Sequence, residues 1–288
     1  MQTEEEGIKI TPYVAGHIVG AAMFIIEVDG VKVLYTGDYS CEEDRYIMKA
    51  EIPQSNVDIL VAESTFGVRV HEDRRMREQK FQEYVHKIVK GGGKCLLPVF
   101  SAGRAEELLF ILDEYWEQKK EELEHIHIYY TVSLIDKCRN IYETYIDMLS
   151  KKIRERFYKE QANPFKYRHI HYLKKNTRIY SEENNPMVVM CTPGMLQNGQ
   201  SRTLLERWCH DPKNGVCITG YCAEGSIANN LKKGDCIASM ENNKPITVNL
   251  SVEEISFAAH ADCAQTEEFI KKVKPSHVVL VHGSGKNA

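Results

Sequence analysis

Val31-Lys-Val-Leu-Tyr-Thr-Gly-Asp38 is a run of β-branched and aromatic side chains that stops at a glycine followed by a carboxylate. Such a run predicts a strand ending at a tight turn. An aspartate just past that glycine is held at the strand's end and aimed outward, as a metal ligand or catalytic acid must be. The segments around it repeat the design. Tyr13-Val-Ala-Gly-His17 sets a histidine after a glycine, ahead of the apolar strand 21–28, and Val57-Asp-Ile-Leu-Val-Ala-Glu63 closes on a carboxylate. Far along the chain, Ile255-Ser-Phe-Ala-Ala-His260 and Val278-Val-Leu-Val-His282-Gly283 end on histidines. Each of these residues taken singly reads more simply as a turn former or helix cap. Their recurrence as His17, Asp38, Glu63, His260 and His282, in the types used for zinc and hydrolytic work, points to one site.

The 288 residues suffice for one large domain or two ordinary ones. An apolar share of 43% and a charged share of 27% are those of an ordinary globular chain. A formal charge of −4 argues against a uniformly basic, RNA-coating surface and leaves room for a local basic groove. Nine cysteines lie scattered without a Cys-x-x-Cys pair, which fits reduced thiols better than a disulfide framework or zinc knuckle. No apolar run reaches membrane-spanning length, so no membrane partner is expected.

The chain changes texture twice. Strands dominate from Ile8 to Glu63. After Gly67, helical spacing (Met76, Phe81, Val85, Ile88) runs into the stop Gly91-Gly-Gly93, and a strand at 94–100 leads to a helix at 105–116. Further strands at 125–131, 187–192 and 216–220 alternate with helical stretches, the mark of a mostly parallel sheet flanked by helices. The first texture returns at Ser251. We therefore expect an α/β protein in which residues 67–251 form one domain inserted into another made of 1–66 and 252–288.

Ordered motifs then carry a resemblance. Gly16-His17 with Gly20-Ala-Ala22, Tyr35-Thr-Gly-Asp38, Glu63-Ser-Thr65, Pro98-Val-Phe100, Gly103-Arg-Ala105, Thr192-Pro-Gly-Met195, Gly220-Tyr-Cys222, Ser256-Phe-Ala-Ala-His-Ala-Asp262 and Leu280-Val-His-Gly283 resemble those of the metallo-β-lactamase/β-CASP nucleases. The resemblance runs almost end to end. It implies a metallo-β-lactamase αββα fold, here partial, with an inserted β-CASP domain. It also implies a zinc-dependent endoribonuclease that cleaves pre-mRNA 3′ ends before polyadenylation by hydroxide attack on a phosphodiester. The implied setting is nuclear, beside other subunits of a cleavage and polyadenylation complex, a non-catalytic paralogue among them. A non-catalytic scaffold, an Integrator-type snRNA-processing endonuclease and a hydrolase of small esters or lactams are the alternatives.

Carried over residue by residue, the resemblance makes Asp38 the carboxylate shared by two zinc ions, with His17 on one and His282 on the other. His260 becomes the acid that protonates the leaving 3′-oxygen, oriented by Glu63. Asp262 is expected to cap the helix that follows. Ser101, Gly103 and Arg104, between a strand and a helix, read as a phosphate site, with Arg104 the preferred contact and a domain-interface ion pair to an acidic side chain its alternative. Thr192 and Tyr221 stand on further strand-end loops that border a cleft, where Tyr221 reads first as a packing side chain and otherwise as one that stacks on an RNA base. The remaining histidines, His71 among them, read as structural or surface residues. The family's first metal motif, His-x-His-x-Asp-His, occurs nowhere in the chain, and Ser284 stands where the relatives carry glutamate. We therefore expect a piece of the enzyme, inactive as a nuclease and holding zinc weakly or not at all.

Overall fold

The computed structural model describes residues 3–5, 7–100, 103–131, 135–173 and 177–283. They divide into two compact units, one made of Met1–His71, Ile141–Pro164 and Ala259–Ala288, the other of Glu72–Asn140 and Phe165–Ala258.

The first unit is built on a six-stranded sheet. In spatial order its strands are Thr3–Glu5, Ile8–Val14, Ala22–Val28, Val31–Tyr35, Ile59–Glu63 and His277–Val281. The first four pair antiparallel, and the last two join in parallel, with Tyr35 opposite Val61 and Val281 opposite Glu63. Period-two alternation sends Met23, Ile25, Leu34, Leu60 and Ala62 to one face, where they are buried with Phe269 and Val273 of the helix Cys263–Val273. Each such large side chain contributes about 1.5–3 kcal/mol through burial. On the other face Ile8, Ile10, Phe24, Val28, Val31, Tyr35 and Val279 are exposed.

The helix begins at Asp262 with a full capping box. The Asp262 carboxylate accepts from the Gln265 amide at 2.8 Å, and the Gln265 side chain accepts from the Asp262 amide at 3.3 Å. This is the cap expected from the sequence.

The second unit holds an all-parallel sheet flanked by helices. Its order is Ser251–Glu254, Gly215–Ile218, Lys94–Pro98, Met187–Cys191, His127–Thr131 and Ile170–Tyr172. Leu96, Val189 and Val216 bury against Leu204, Leu205 and Trp208 of the helix Gly199–Trp208. The helix Arg74–Lys90 starts at Asp73, whose carboxylate accepts from the Arg75 and Met76 amides, and it ends at Gly91 as its glycine stop foretells.

Three stretches depart from the expected domain limits, the shortest being 67–71, which stay with the first unit. Residues 141–164 group with the first unit, because Ile47 bridges to Leu149, the Ser150 amide donates to Tyr46 O at 2.8 Å, and Tyr46 packs on Tyr142. The chain there forms the helix Ile135–Thr144, a 3₁₀ turn at Ile146–Met148 and the helix Lys151–Tyr158. Residues 252–258 stay with the second unit, since Ser251–Glu254 pairs there with Gly215–Ile218. Among the described residues no helix is long and apolar enough to cross a membrane. No disulfide joins any of the nine cysteines, all of which lie among the described residues.

Candidate metal and proton-transfer site

Five polar residues foreseen at strand ends converge in the first unit. Asp38 follows the strand Val31–Tyr35 by three residues, Glu63 ends the neighbouring strand, and His282 comes directly after the one beyond it, His277–Val281. His17 sits in the loop after Ile8–Val14, and His260 precedes the capped helix. Both His17 (φ 56°) and His282 (φ 55°) take the left-handed backbone conformation that non-glycine residues rarely adopt. Such outliers concentrate where function requires a side chain to be aimed.

Asp38 stands between two histidines. Its Oδ2 lies 3.8 Å from His17 Nε2 and its Oδ1 lies 3.3 Å from His282 Nδ1. His17 Nδ1 must be the protonated nitrogen, because it donates to the Ala259 carbonyl at 3.0 Å. In the neutral ring this turns the Nε2 lone pair toward the Asp38 carboxylate. Two electron-rich groups so placed call for a cation or a proton between them.

Glu63 is buried, at 2% exposure, and its oxygens are occupied. Oε1 accepts from the Tyr39 amide at 3.1 Å, Oε2 accepts from the Thr65 hydroxyl, and His260 Nδ1 lies 2.8 and 3.0 Å from the two. Burial pushes the Glu63 carboxyl up. The bond and charge of His260, then the Thr65 hydroxyl and the Tyr39 amide, outweigh that, and the net value lies below the usual carboxylate range. Thr65 Oγ1 also lies 3.1 Å from His282 Nδ1.

Ligand atoms of His17, Asp38 and His260 lie within 4.8 Å of one another, as do those of Asp38, Glu63 and His282. The two sets share Asp38. Imidazole and carboxylate donors at such spacing fit a metal ion, and a shared carboxylate suits a pair of them. Glu63 is the poor donor of the five, since both its oxygens already accept hydrogen bonds.

His71 belongs to this site although its local sequence carries no sign of it. Its backbone amide donates to Asp262 Oδ2 at 2.7 Å, its Nε2 donates to the His260 carbonyl at 3.1 Å, and its ring packs edge-on against Phe66 with centroids 4.9 Å apart. It thereby fixes the backbone that carries His260.

The expected phosphate residues lie in the second unit, on loops following adjacent strands. Arg104 comes after Lys94–Pro98, Thr192 after Met187–Cys191 and Tyr221 after Gly215–Ile218. The Arg104 guanidinium is held by Glu107 at 3.3 Å and by the Ala258 carbonyl at 3.4 Å. The acidic partner sits one turn along the same helix, so the pair is local and is not the domain-interface ion pair given as the alternative. Gly103 has φ 102°, the Thr192 carbonyl accepts from the Ser201 amide at 3.1 Å, and Tyr221 is exposed. Ser101 lies outside the described residues.

Residues 1–65 match a metallo-β-lactamase superfamily domain, 105–231 a Beta-Casp domain, and 245–288 a Zn-dependent metallo-hydrolase RNA specificity domain. The chain belongs to the metallo-β-lactamase/β-CASP family. It is 48% identical over 282 residues to cleavage and polyadenylation specificity factor subunit 3 of Dictyostelium discoideum, covering 98% of this chain and 36% of that protein. It is 50% identical over 278 residues to cleavage and polyadenylation specificity factor 73 of Drosophila melanogaster, covering 96% and 40%. Endoribonuclease YSH1 of Saccharomyces cerevisiae matches at 47% over 282 residues, covering 96% and 36%. The chain thus spans 36–40% of the length of these relatives.

Proposed function

We propose that this chain serves a zinc-dependent endoribonuclease that cleaves pre-mRNA 3′ ends before polyadenylation, in the nucleus and together with other subunits of a cleavage and polyadenylation complex, a non-catalytic paralogue included. The observation that carries the reading is Asp38, whose two oxygens face two different histidines at 3.8 and 3.3 Å. His17, Asp38 and His282 would hold zinc, with Asp38 shared. Zinc bound there supplies Lewis acidity and positive charge at the phosphodiester oxygens.

The side chains do the rest. Glu63 holds His260 through Nδ1, so Nε2 is the nitrogen that delivers a proton. Attack of hydroxide at phosphorus expels the 3′-oxygen of the upstream nucleotide, and that oxygen takes the proton from His260 Nε2. His71 and the Asp262 cap keep the segment carrying His260 in place.

The test uses active enzyme containing this sequence, offered RNA and a small ester or lactam. RNA should be cut and the small substrate spared. His260→Ala should slow cleavage by about 10²–10⁴-fold with zinc content retained, while Asp38→Ala should lose both. Equal zinc loss in the two variants, read by elemental analysis, would put His260 among the ligands. Binding of RNA without cleavage would make the protein a scaffold.

A further inference from the structure

Phe100 lies two residues past the strand Lys94–Pro98, at the carboxyl edge of the parallel sheet. The strands flanking Lys94–Pro98 are Met187–Cys191 and Gly215–Ile218, and each sends a glycine loop toward this residue. A Cβ placed on Gly220 would stand 2.9 Å from Phe100 Cε2, and one placed on Gly194 would stand 3.1 Å from the same atom. Both distances are inside van der Waals contact, so only glycine lets the ring lie where it does. The strand pairing supports the cradle, with the Val99 amide donating to Cys191 O at 2.9 Å.

Despite this close seating, Phe100 remains 42% exposed. Two loops are thus stripped of side chains to hold an apolar ring that the fold does not bury. Packing alone gives no reason for that, because a core phenylalanine would be enclosed. Tyr221, next to Gly220, is 65% exposed and adds a second aromatic side chain to the same edge. Thr192, one residue past its strand, is half-buried there. Ligands of open parallel sheets bind outside the carboxyl ends of the strands.

We propose that Phe100 is a stacking platform for a nucleobase of single-stranded RNA, held in register by Gly194 and Gly220. The inference rests on the reading of the protein as an RNA enzyme. A base offers a flat face that matches the ring, and stacking of this kind tolerates any sequence. Phe100 has no polar atom, so it positions the strand without selecting one base by hydrogen bonding.

Fluorescence anisotropy of the 288-residue chain with a labelled short oligoadenylate tests this. Phe100→Leu, which still fills the cradle, should weaken binding by about 5- to 100-fold, and Phe100→Tyr should bind as the wild type does. An abasic nucleotide, scanned along the oligonucleotide, should weaken binding to the wild type at one position and cost Phe100→Leu nothing there. That last comparison separates stacking from damage to the fold. Binding by the wild type with Phe100→Leu equally tight, or an abasic cost equal in both proteins, would overturn the platform while leaving RNA recognition standing. No oligonucleotide binding by the wild type would overturn both.

Discussion

His260 Nδ1 lies 2.8 and 3.0 Å from the two oxygens of Glu63, a carboxylate on a different element and 2% exposed. Strand order explains the meeting: Glu63 ends the last strand but one of the sheet, and Phe66, just beyond it, bridges to Asp262, two residues past His260. Glu63→Gln keeps the shape but removes the charge facing His260, and its single oxygen can accept from either the Tyr39 amide or the Thr65 hydroxyl, not both. In active enzyme the substitution should lower kcat about 10- to 100-fold with KM nearly unchanged. A change confined to KM would mean that Glu63 serves binding.

Gly16→Ala should destabilise the first unit and disturb His17 with it. Gly16 has φ 71°, and a Cβ there would stand 2.9 Å from the Ser40 carbonyl and 3.1 Å from the Met48 carbonyl. Neither backbone oxygen can swing aside as a flexible side chain would. A cost of about 1–3 kcal/mol is expected, visible as a lower urea midpoint. An unchanged midpoint would show that the Ser40–Met48 loop gives way easily.

The strand ends were legible because apolar runs that stop at Gly-His, Gly-Asp or Ala-Glu write their geometry locally. Residues whose roles depend on distant partners were not. His71 meets His260 across 189 residues, and nothing in the local sequence of His71 signals that contact. The return of 141–164 to the first unit depends on Leu149 bridging Ile47, again without a local pattern. Arg104 is different, since its i,i+3 spacing to Glu107 was visible in the sequence and foretells their pairing.

Acid should weaken the second unit through Glu182. The Tyr129 hydroxyl, then Arg178, hold its carboxyl down to about 2 against the effect of burial, and His127 adds to them. With the unfolded value near 4.5, the stabilisation is present above pH 4.5 and is lost as pH falls toward 2. Glu182→Gln should therefore flatten the decline in unfolding midpoint over that window. Parallel curves for the two proteins would remove Glu182 from the acid response.

The outer face of the first sheet should bind an environment-sensitive apolar dye in the native state. Strand register sets Phe24 opposite Tyr35 and Val28 opposite Val31, and all four are exposed. Contiguous apolar surface of this kind takes up such probes. Phe24→Glu with Val28→Glu should lower dye fluorescence while shifting stability by less than about 1 kcal/mol. Fluorescence equal to the wild type would locate the dye elsewhere.

Zinc should bind this chain weakly. A catalytic zinc normally takes three protein ligands and water. His17, Asp38 and His282 would be divided between two positions that share Asp38, which leaves about two ligands for each. Glu63 cannot make up the number without giving up its bonds to His260, Tyr39 and Thr65. The His282 side chain is 62% exposed and that of Asp38 41%, so solvent competes for both. Calorimetric titration of zinc into the purified chain should give shallow binding that Asp38→Ala abolishes. Tight uptake of two equivalents would mean that other side chains complete the coordination, and the assignment of ligands would have to be redrawn around His260 and Glu63.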